Sequence, residues 1–219
     1  MIQNILLDFD GTLSDSARGI VACVRYALEC FGIVETDPQR LLAFVGPPPT
    51  ELFESVYGMT PEQSQAALGK FRERFASHGI YENEMFPGIE PMLRRLQGAG
   101  KRLALATSKP RVFAREILER YGVADCFDVV MGCELSGGLD TKIEVMEETL
   151  RQLGVTTPEA KAATVMVGDR KYDMEGARHC GIRAVGVAFG YAPPGELESA
   201  GADVILPTVE ALTEYLLHN

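Results

Sequence analysis

Two aspartates separated by one residue follow the first apolar run of the sequence, and they are the first candidates for chemistry. Asp8 and Asp10 flank Phe9 and precede Gly11 and Thr12. Because side chains alternate along an extended chain, both carboxylates can point to one side while Phe9 packs on the other. Two carboxylates this close repel, so the pair needs either a divalent cation such as Mg²⁺ or one carboxyl that stays protonated and acts as an acid. The simpler alternative is that the segment is only a turn.

Hydroxyl side chains follow a second apolar run, Arg102–Thr107. Thr107 and Ser108 precede Pro110, and proline is favoured at the first position of a helix. Hydroxyl groups and free main-chain N–H groups at a helix N-terminus form a site for an anion such as phosphate. The alternative is that Ser108 is an ordinary N-cap.

A lysine occupies an unusual place at the start of a later helix. Thr141 and Glu144 have the spacing of a capping box, which places Lys142 in the first turn. A cation there opposes the helix dipole, at a cost of a few tenths of a kcal/mol. Lys142 is therefore predicted to balance nearby carboxylates and to bind phosphate.

A second pair of aspartates follows the apolar run that begins near Thr164. Asp169 lies in a loop next to Gly168, and Asp173 lies four residues further on. Asp173 is a candidate N-cap of the next helix, whereas Asp169 has no capping role in the sequence. Asp169 is therefore the better candidate for a metal ligand.

These residues can meet only if the strands before them share one sheet. From Phe86 onward, short apolar runs alternate with amphipathic helical segments, which predicts βαβ units and a parallel sheet covered on both faces. The segment from residue 15 to 85 has only helical patterns. The sequence thus predicts a doubly wound parallel α/β domain, residues 1–14 and 86–219, with an inserted all-α helical cap, residues 15–85. Such a sheet places its ligands at the carboxyl ends of its strands.

Bulk composition excludes several classes of function. The chain has 219 residues, a net charge of −10 and 46% hydrophobic residues, which fits a globular protein with a full core. The negative charge disfavours binding to a nucleic-acid polymer, and no apolar run is long enough to span a bilayer. No basic segment precedes the first apolar run, so we expect no signal peptide. Five cysteines without a C-x-x-C pair favour reduced thiols and a cytoplasmic location.

Taken together, these segments resemble the four motifs of the haloacid-dehalogenase (HAD) superfamily of phosphohydrolases. The matches occur in the order of the family and extend over nearly the whole chain: Asp8-Phe-Asp-Gly-Thr-Leu13, Thr107-Ser108, Lys142, and Gly168-Asp169 through Asp173. The resemblance implies a HAD-like Rossmannoid fold, in which the helical insertion is a cap, and a Mg²⁺-dependent phosphatase.

The resemblance also implies roles for individual residues. Asp8 would be the nucleophile and Asp10 the general acid and base. The substrate phosphate would be bound by Thr107, Ser108 and Lys142. Mg²⁺ would be held by Asp8, Asp169 and the main-chain carbonyl of Asp10, with Asp173, Gly11 and Thr12 in support.

Three further stretches are similar to the phosphoglycolate-phosphatase and 5′-nucleotidase-like branch of the family: Phe44–Pro48, Ala106–Pro110 and Gly168–Asp173. A small phosphorylated metabolite is therefore the expected partner, with 2-phosphoglycolate or a nucleoside 5′-monophosphate first. The segment Ser136–Lys142 departs from that branch because it is shorter and lacks an arginine before the lysine. Two alternatives stay open: a sugar-phosphate mutase similar to β-phosphoglucomutase, and a phospho-accepting signalling module.

Overall fold

The computed structural model describes all 219 residues, in eight strands and eleven α-helices. The strands are β1 (Asn4–Leu7), β2 (Ser14–Asp15), β3 (Glu84–Met85), β4 (Arg102–Pro110), β5 (Val129–Cys133), β6 (Thr164–Gly168), β7 (Arg183–Val187) and β8 (Val204–Leu206). The helices are α1 (Ala17–Glu29), α2 (Pro38–Leu42), α3 (Pro49–Ser55), α4 (Pro61–Ser77), α5 (Ile89–Gly98), α6 (Arg111–Arg120), α7 (Lys142–Leu153), α8 (Pro158–Ala162), α9 (Lys171–Cys180), α10 (Glu196–Ser199) and α11 (Val209–His218).

The chain divides into two compact units. One consists of Met1–Ser14 and Met85–Asn219, and the other is Asp15–Glu84. The two connections between them, β2 and β3, pair as a two-stranded sheet. No helix in the structure combines the length and the apolar character that crossing a bilayer would require.

The larger unit is built on a six-stranded sheet in the order β5-β4-β1-β6-β7-β8, parallel at every pairing. β1 lies between β4 and β6, and Leu7 pairs with Leu105 on one side and Val167 on the other. Every residue of β1 and β6 is buried, as expected for strands covered on both faces. The predicted parallel α/β fold is confirmed.

The common edge of these three strands positions the chemistry. Asp8 directly follows β1, and its main-chain N–H continues the ladder by donating to Val167 O at 2.9 Å. Thr107 lies two residues beyond Leu105, and Asp169 lies two residues beyond Val167. Because the strands are parallel, these residues all lie at the same edge of the sheet.

One N-cap alternative and one helix start differ from what the sequence suggested. β4 extends to Pro110, which is the N-cap of α6, so Ser108 is not an N-cap. The reason is that a residue before proline is driven to an extended conformation, which keeps Ser108-Lys109 out of the helix. The helix α9 begins at Lys171 instead of near residue 174, and Asp173 is its third residue rather than its N-cap.

The smaller unit contains α1 to α4. Phe44 and Phe53 pack with ring centroids 5.1 Å apart, and Tyr57 lies 6.2 Å from Phe44. Arg74 on α4 forms two short contacts with Glu82, at 2.7 and 3.1 Å. The short helices α2 and α8 were not predicted because five residues are too few to show a helical period, although each begins with proline after a capping side chain.

Candidate active site

Lys142 joins two of the predicted acids. Its Nζ donates to Asp8 Oδ1 at 2.6 Å and forms an ion pair with Asp173 Oδ1 at 2.7 Å. The three side chains are 6%, 6% and 2% exposed. Residues separated by more than 130 positions in the chain therefore meet in one buried cluster.

Local sequence explains why the lysine lies there. The predicted capping box is present: Glu144 N donates to Thr141 Oγ1 at 3.2 Å, and Thr141 N donates to Glu144 Oε2 at 2.9 Å. This cap fixes Lys142 as the first residue of α7. Burial lowers the pKa of Lys142, but the carboxylates of Asp173 and Asp8 outweigh that effect and raise the pKa above its usual value, so the ammonium stays charged.

Three carboxylates form the most acidic point of the cluster. Oxygens from Asp8, Asp169 and Asp173 all lie within 4.8 Å of one another. Burial, and then the charges of Asp8 and Asp173, raise the pKa of Asp169 well above its usual value. Burial likewise raises the pKa of Asp173 to about 6, against the opposing effect of Lys142. Burial is the main cause of both shifts, and the charge of the neighbouring carboxylate Asp8 adds to each.

Asp169 is held in place by two predicted supporting residues, Thr12 and Gly11, and by Tyr191 and Gly190, which the sequence did not reveal. Tyr191 N donates to Asp169 Oδ2 at 2.8 Å, and Thr12 Oγ1 donates to Oδ1 at 3.4 Å. A Cβ added to Gly11 would lie 2.1 Å from Asp169 Oδ2, and one added to Gly190 would lie 2.3 Å from Asp169 Cβ. Both positions must therefore be glycine for Asp169 to occupy this place. Gly190 could have been found only by knowing that its loop returns to the site.

Two sets of contacts hold the segment that carries the second acid pair. Asp173 Oδ2 accepts from Arg170 N at 3.1 Å, the contact expected of an acidic side chain at the third position of a helix. The Arg170 guanidinium pairs with Glu196 at 2.8 Å, and Glu196 also accepts from Lys171 N at 3.0 Å. Glu196 ties this loop to α10, and sequence reasoning had given it no role.

Asp10 does not join the three-carboxylate group. Its Oδ1 lies 3.0 Å from Lys109 Nζ, and both side chains are buried. Asp8 and Asp10 thus have different cationic partners, Lys142 for the first and Lys109 for the second. Lys109 lies in the predicted stretch Ala106–Pro110 but had no role of its own, because its contact with Asp10 depends on the fold and leaves no signal in the neighbouring residues.

The two predicted hydroxyl residues lie on the same β4 segment. Thr107 is buried, and its Oγ1 accepts from Lys109 N at 3.2 Å. Ser108 is half-buried. Binding of phosphate by these two residues stays a prediction.

The buried charges of the site do not balance. Asp8, Asp10, Asp169 and Asp173 supply four carboxylates, and Lys109 and Lys142 supply two ammonium groups. Arg170 is already paired with Glu196. With all four carboxyls ionised, the remaining two negative charges match one divalent cation, and carboxylate oxygens are the ligands that Mg²⁺ prefers. The residues present therefore fit a divalent metal.

Comparison with known proteins identifies the family. A family model described as haloacid dehalogenase-like hydrolase matches residues 5–187. The chain belongs to this family. This HAD hydrolase is 40% identical over 196 residues, 90% of its length, to a 5′-nucleotidase of Pseudomonas aeruginosa, and it covers 87% of that relative. It is also 37% identical to a tyrosine-protein kinase PtkA of Mycobacterium tuberculosis, with coverage of 98% of this chain and 72% of the relative.

Two further matches support the phosphatase class. This HAD hydrolase is 30% identical to a plasmid-encoded phosphoglycolate phosphatase of Cupriavidus necator, over 97% of its own length and 92% of the relative. The crystal structure of a predicted phosphatase from Clostridium acetobutylicum superimposes with a TM-score of 0.94 and 36% identity, covering both chains completely. The predicted superfamily, fold and enzyme class are confirmed: the protein is a phosphatase of the HAD family.

Proposed function

We propose that this phosphatase is a Mg²⁺-dependent hydrolase that transfers the phosphoryl group of a small phosphate monoester to Asp8. The observation that supports this most strongly is the buried contact of Lys142 with both Asp8 and Asp173, beside Asp169. The carboxylate proposed as the nucleophile, a fixed cation and the carboxylate oxygens proposed to hold the metal then lie close together. Phosphoryl transfer needs in-line positioning and charge neutralisation more than any other chemistry.

The reaction has two steps. In the first, an Asp8 carboxylate oxygen bonds to phosphorus and the bond from phosphorus to the ester oxygen breaks. Asp10, protonated at this stage, donates its proton to the leaving alcohol. In the second, water attacks the phosphorus of the aspartyl phosphate, Asp10 takes the proton of that water, and Asp8 is regenerated. Division into two steps lowers each barrier.

Charged and hydroxyl groups that bind the phosphate support both steps. Lys142 neutralises part of the negative charge on the transferring phosphoryl group, and Thr107 and Ser108 bind its oxygens. Bound Mg²⁺ would supply further charge neutralisation for the phosphate. Its proposed ligands are Asp8, Asp169 and the main-chain carbonyl of Asp10, with Gly11, Thr12 and Asp173 in support; the position of Asp173 within the three-carboxylate group is consistent with that supporting role.

The proposed substrates are a nucleoside 5′-monophosphate and 2-phosphoglycolate. The names of the 40% and 30% identical relatives support these two classes, in that order. The hypothesis includes the helical unit, predicted over residues 15–85, as a cap domain. The five free cysteines support the proposed cytoplasmic location.

The test is phosphate release from a panel of monoesters that includes both proposed substrates and several sugar phosphates, each with and without Mg²⁺. We expect release that requires Mg²⁺ and that Asp8→Asn abolishes, with the folded state checked by circular dichroism. Release that persists in Asp8→Asn would contradict the proposal. Isomerisation of a sugar phosphate without release would instead show a mutase.

A second candidate is transfer of the phosphoryl group to a tyrosine rather than to water. The 37% identity to a protein named as a tyrosine kinase favours it. Incubation with ATP and a tyrosine peptide separates the two functions. A hydrolase releases inorganic phosphate without labelling the peptide, whereas a transferase labels it.

A further inference from the structure

Lys109 is a buried lysine that the four family motifs do not include. Its Nζ lies 3.0 Å from Asp10 Oδ1, with side-chain exposures of 4% and 10%. The same ammonium lies 5.6 Å from the centroid of the Phe9 ring. Removing two charges from water offsets much of their attraction, so a buried pair of this kind is weak evidence for stability. The pair calls for a role other than holding the fold together.

An irregular main chain around Lys109 places its side chain next to Asp10. The register of β4 against β5 shifts between Ala106 and Pro110, so this part of the strand is irregular. Within it, Lys109 N donates to Thr107 Oγ1 at 3.2 Å. A Cβ added to Gly132 would lie 2.3 Å from Lys109 O. Strand β5 can therefore pass this close to Lys109 only because residue 132 is glycine.

The two buried lysines of the site have separate tasks. Lys142 contacts Asp8 and Asp173, whereas Lys109 contacts Asp10. Asp10 Oδ1 has no well-aligned hydrogen bond, so the contact with Lys109 is mainly one between opposite charges. When Asp10 is ionised this contact is an ion pair, and when Oδ2 carries a proton the ammonium still faces the carbonyl oxygen Oδ1. Oδ2 is therefore the oxygen that exchanges a proton.

We propose that Lys109 is a positioning residue, which holds the carboxyl of Asp10 so that Oδ2 faces the leaving oxygen. This inference rests on the proposed hydrolysis and deepens it. In the first step the proton moves from Asp10 Oδ2 to the departing alkoxide, and in the second step Oδ2 takes a proton from water. Lys109 neither gains nor loses a proton; it fixes the orientation of the group that does. Correct orientation of a general acid contributes on the order of 10²–10⁴ in rate.

The test compares leaving groups that differ in their need for a proton. An alkyl phosphate requires protonation of its leaving oxygen, whereas p-nitrophenolate leaves without it. The ratio kcat/KM reports the steps up to formation of the aspartyl phosphate. We expect Lys109→Met to lower kcat/KM by about 10²-fold for an alkyl phosphate and by less than about tenfold for p-nitrophenyl phosphate, with KM nearly unchanged.

Matched variants separate positioning from folding. Lys109→Arg should recover most of the activity toward the alkyl phosphate because it restores the charge. Asp10→Asn should show the same preference for the aryl ester. Lys101→Met removes another buried lysine, which contacts Ile2 O at 2.6 Å, and should leave the ratio between the two substrates unchanged. If Lys109→Met does not fold, Lys109→Gln gives the same comparison with a polar side chain.

Equal losses for both substrates in the Lys109 variants, or no recovery in Lys109→Arg, would overturn this inference. That failure is distinguishable from failure of the proposed function. If Asp8→Asn is inactive while the Lys109 variants show no leaving-group preference, only the role of Lys109 is wrong. If Asp8→Asn stays active, the proposed mechanism itself is wrong.

Discussion

The exchange Gly190→Ala tests whether Asp169 is held at a fixed place for a metal. An added Cβ would lie 2.5 Å from both Asp169 Oδ2 and Gly11 O, whereas ordinary contact begins at 3.4 Å. The difference, about 0.9 Å, must be taken up by the carboxylate or by the main chain. Ligands of a metal site tolerate displacements of only about 0.2 Å. We therefore expect Gly190→Ala to weaken Mg²⁺ binding strongly.

Two free energies follow from this geometry. Forcing extra volume into a packed site costs about 1–3 kcal/mol of stability. Mg²⁺ at about 100 times its dissociation constant should stabilise the wild type by about 2.7 kcal/mol. A variant that binds about 100-fold more weakly would gain only about 0.4 kcal/mol under the same conditions. The loss of metal-linked stabilisation is thus as large as the loss of intrinsic stability.

Urea unfolding with and without Mg²⁺ measures both quantities, and calorimetry measures the affinity directly. Gly98→Ala is the matched control, because an added Cβ at Gly98 has nothing within 4 Å. The control should keep the affinity of the wild type. If Gly190→Ala binds Mg²⁺ as tightly as the wild type does, Asp169 is not a positioned metal ligand and the argument from space is wrong.

Three further predictions concern the charges of the site. Lys142→Met leaves two buried carboxylates without their cation, so we expect a loss of about 3 kcal/mol or more in urea unfolding at neutral pH; an unchanged stability would show that the pair is dispensable. Glu196→Gln should weaken Mg²⁺ binding about tenfold or more by calorimetry because it loosens the acidic loop, whereas the control Glu198→Gln on the same helix should not; equal affinities in the two variants would contradict this. Since burial raises the pKa of Asp173 from 3.8 to about 6, the folded state binds the proton of Asp173 more tightly than the unfolded state does. Relative to Asp173→Asn, the metal-free wild type should therefore lose stability as the pH rises from 3.8 to about 6. A gain in stability over that interval would contradict the direction of this pKa shift.

Features with a local cause were predictable from the sequence. Thr141 and Glu144 cap α7 through contacts between neighbours, so the first residue of that helix was placed correctly. The apolar strands were found because strands buried on both faces have nearly continuous hydrophobic sequences. With the strands parallel, it followed that Asp8 and Asp169 would leave the sheet at one edge.

Features that depend on distant parts of the chain were not predictable. Lys109 pairs with Asp10 across two strands, and Gly190 contacts Asp169 because a loop more than twenty residues later returns to the site.

Asp173 was wrongly predicted as an N-cap because an acidic residue in the first turn of a helix gives the same sequence signal at several positions. Its bond to Arg170 N is what distinguishes them.

The central claim is that Asp8 receives the phosphoryl group, and trapping that intermediate tests it most directly. The enzyme is mixed with substrate and Mg²⁺, quenched within the first turnover, and treated with borohydride, which reduces an acyl phosphate on aspartate to homoserine. We predict that peptide mass spectrometry finds homoserine at position 8 only when substrate is present. Active enzyme with no reduction at Asp8, or with reduction at another aspartate instead, would contradict the account.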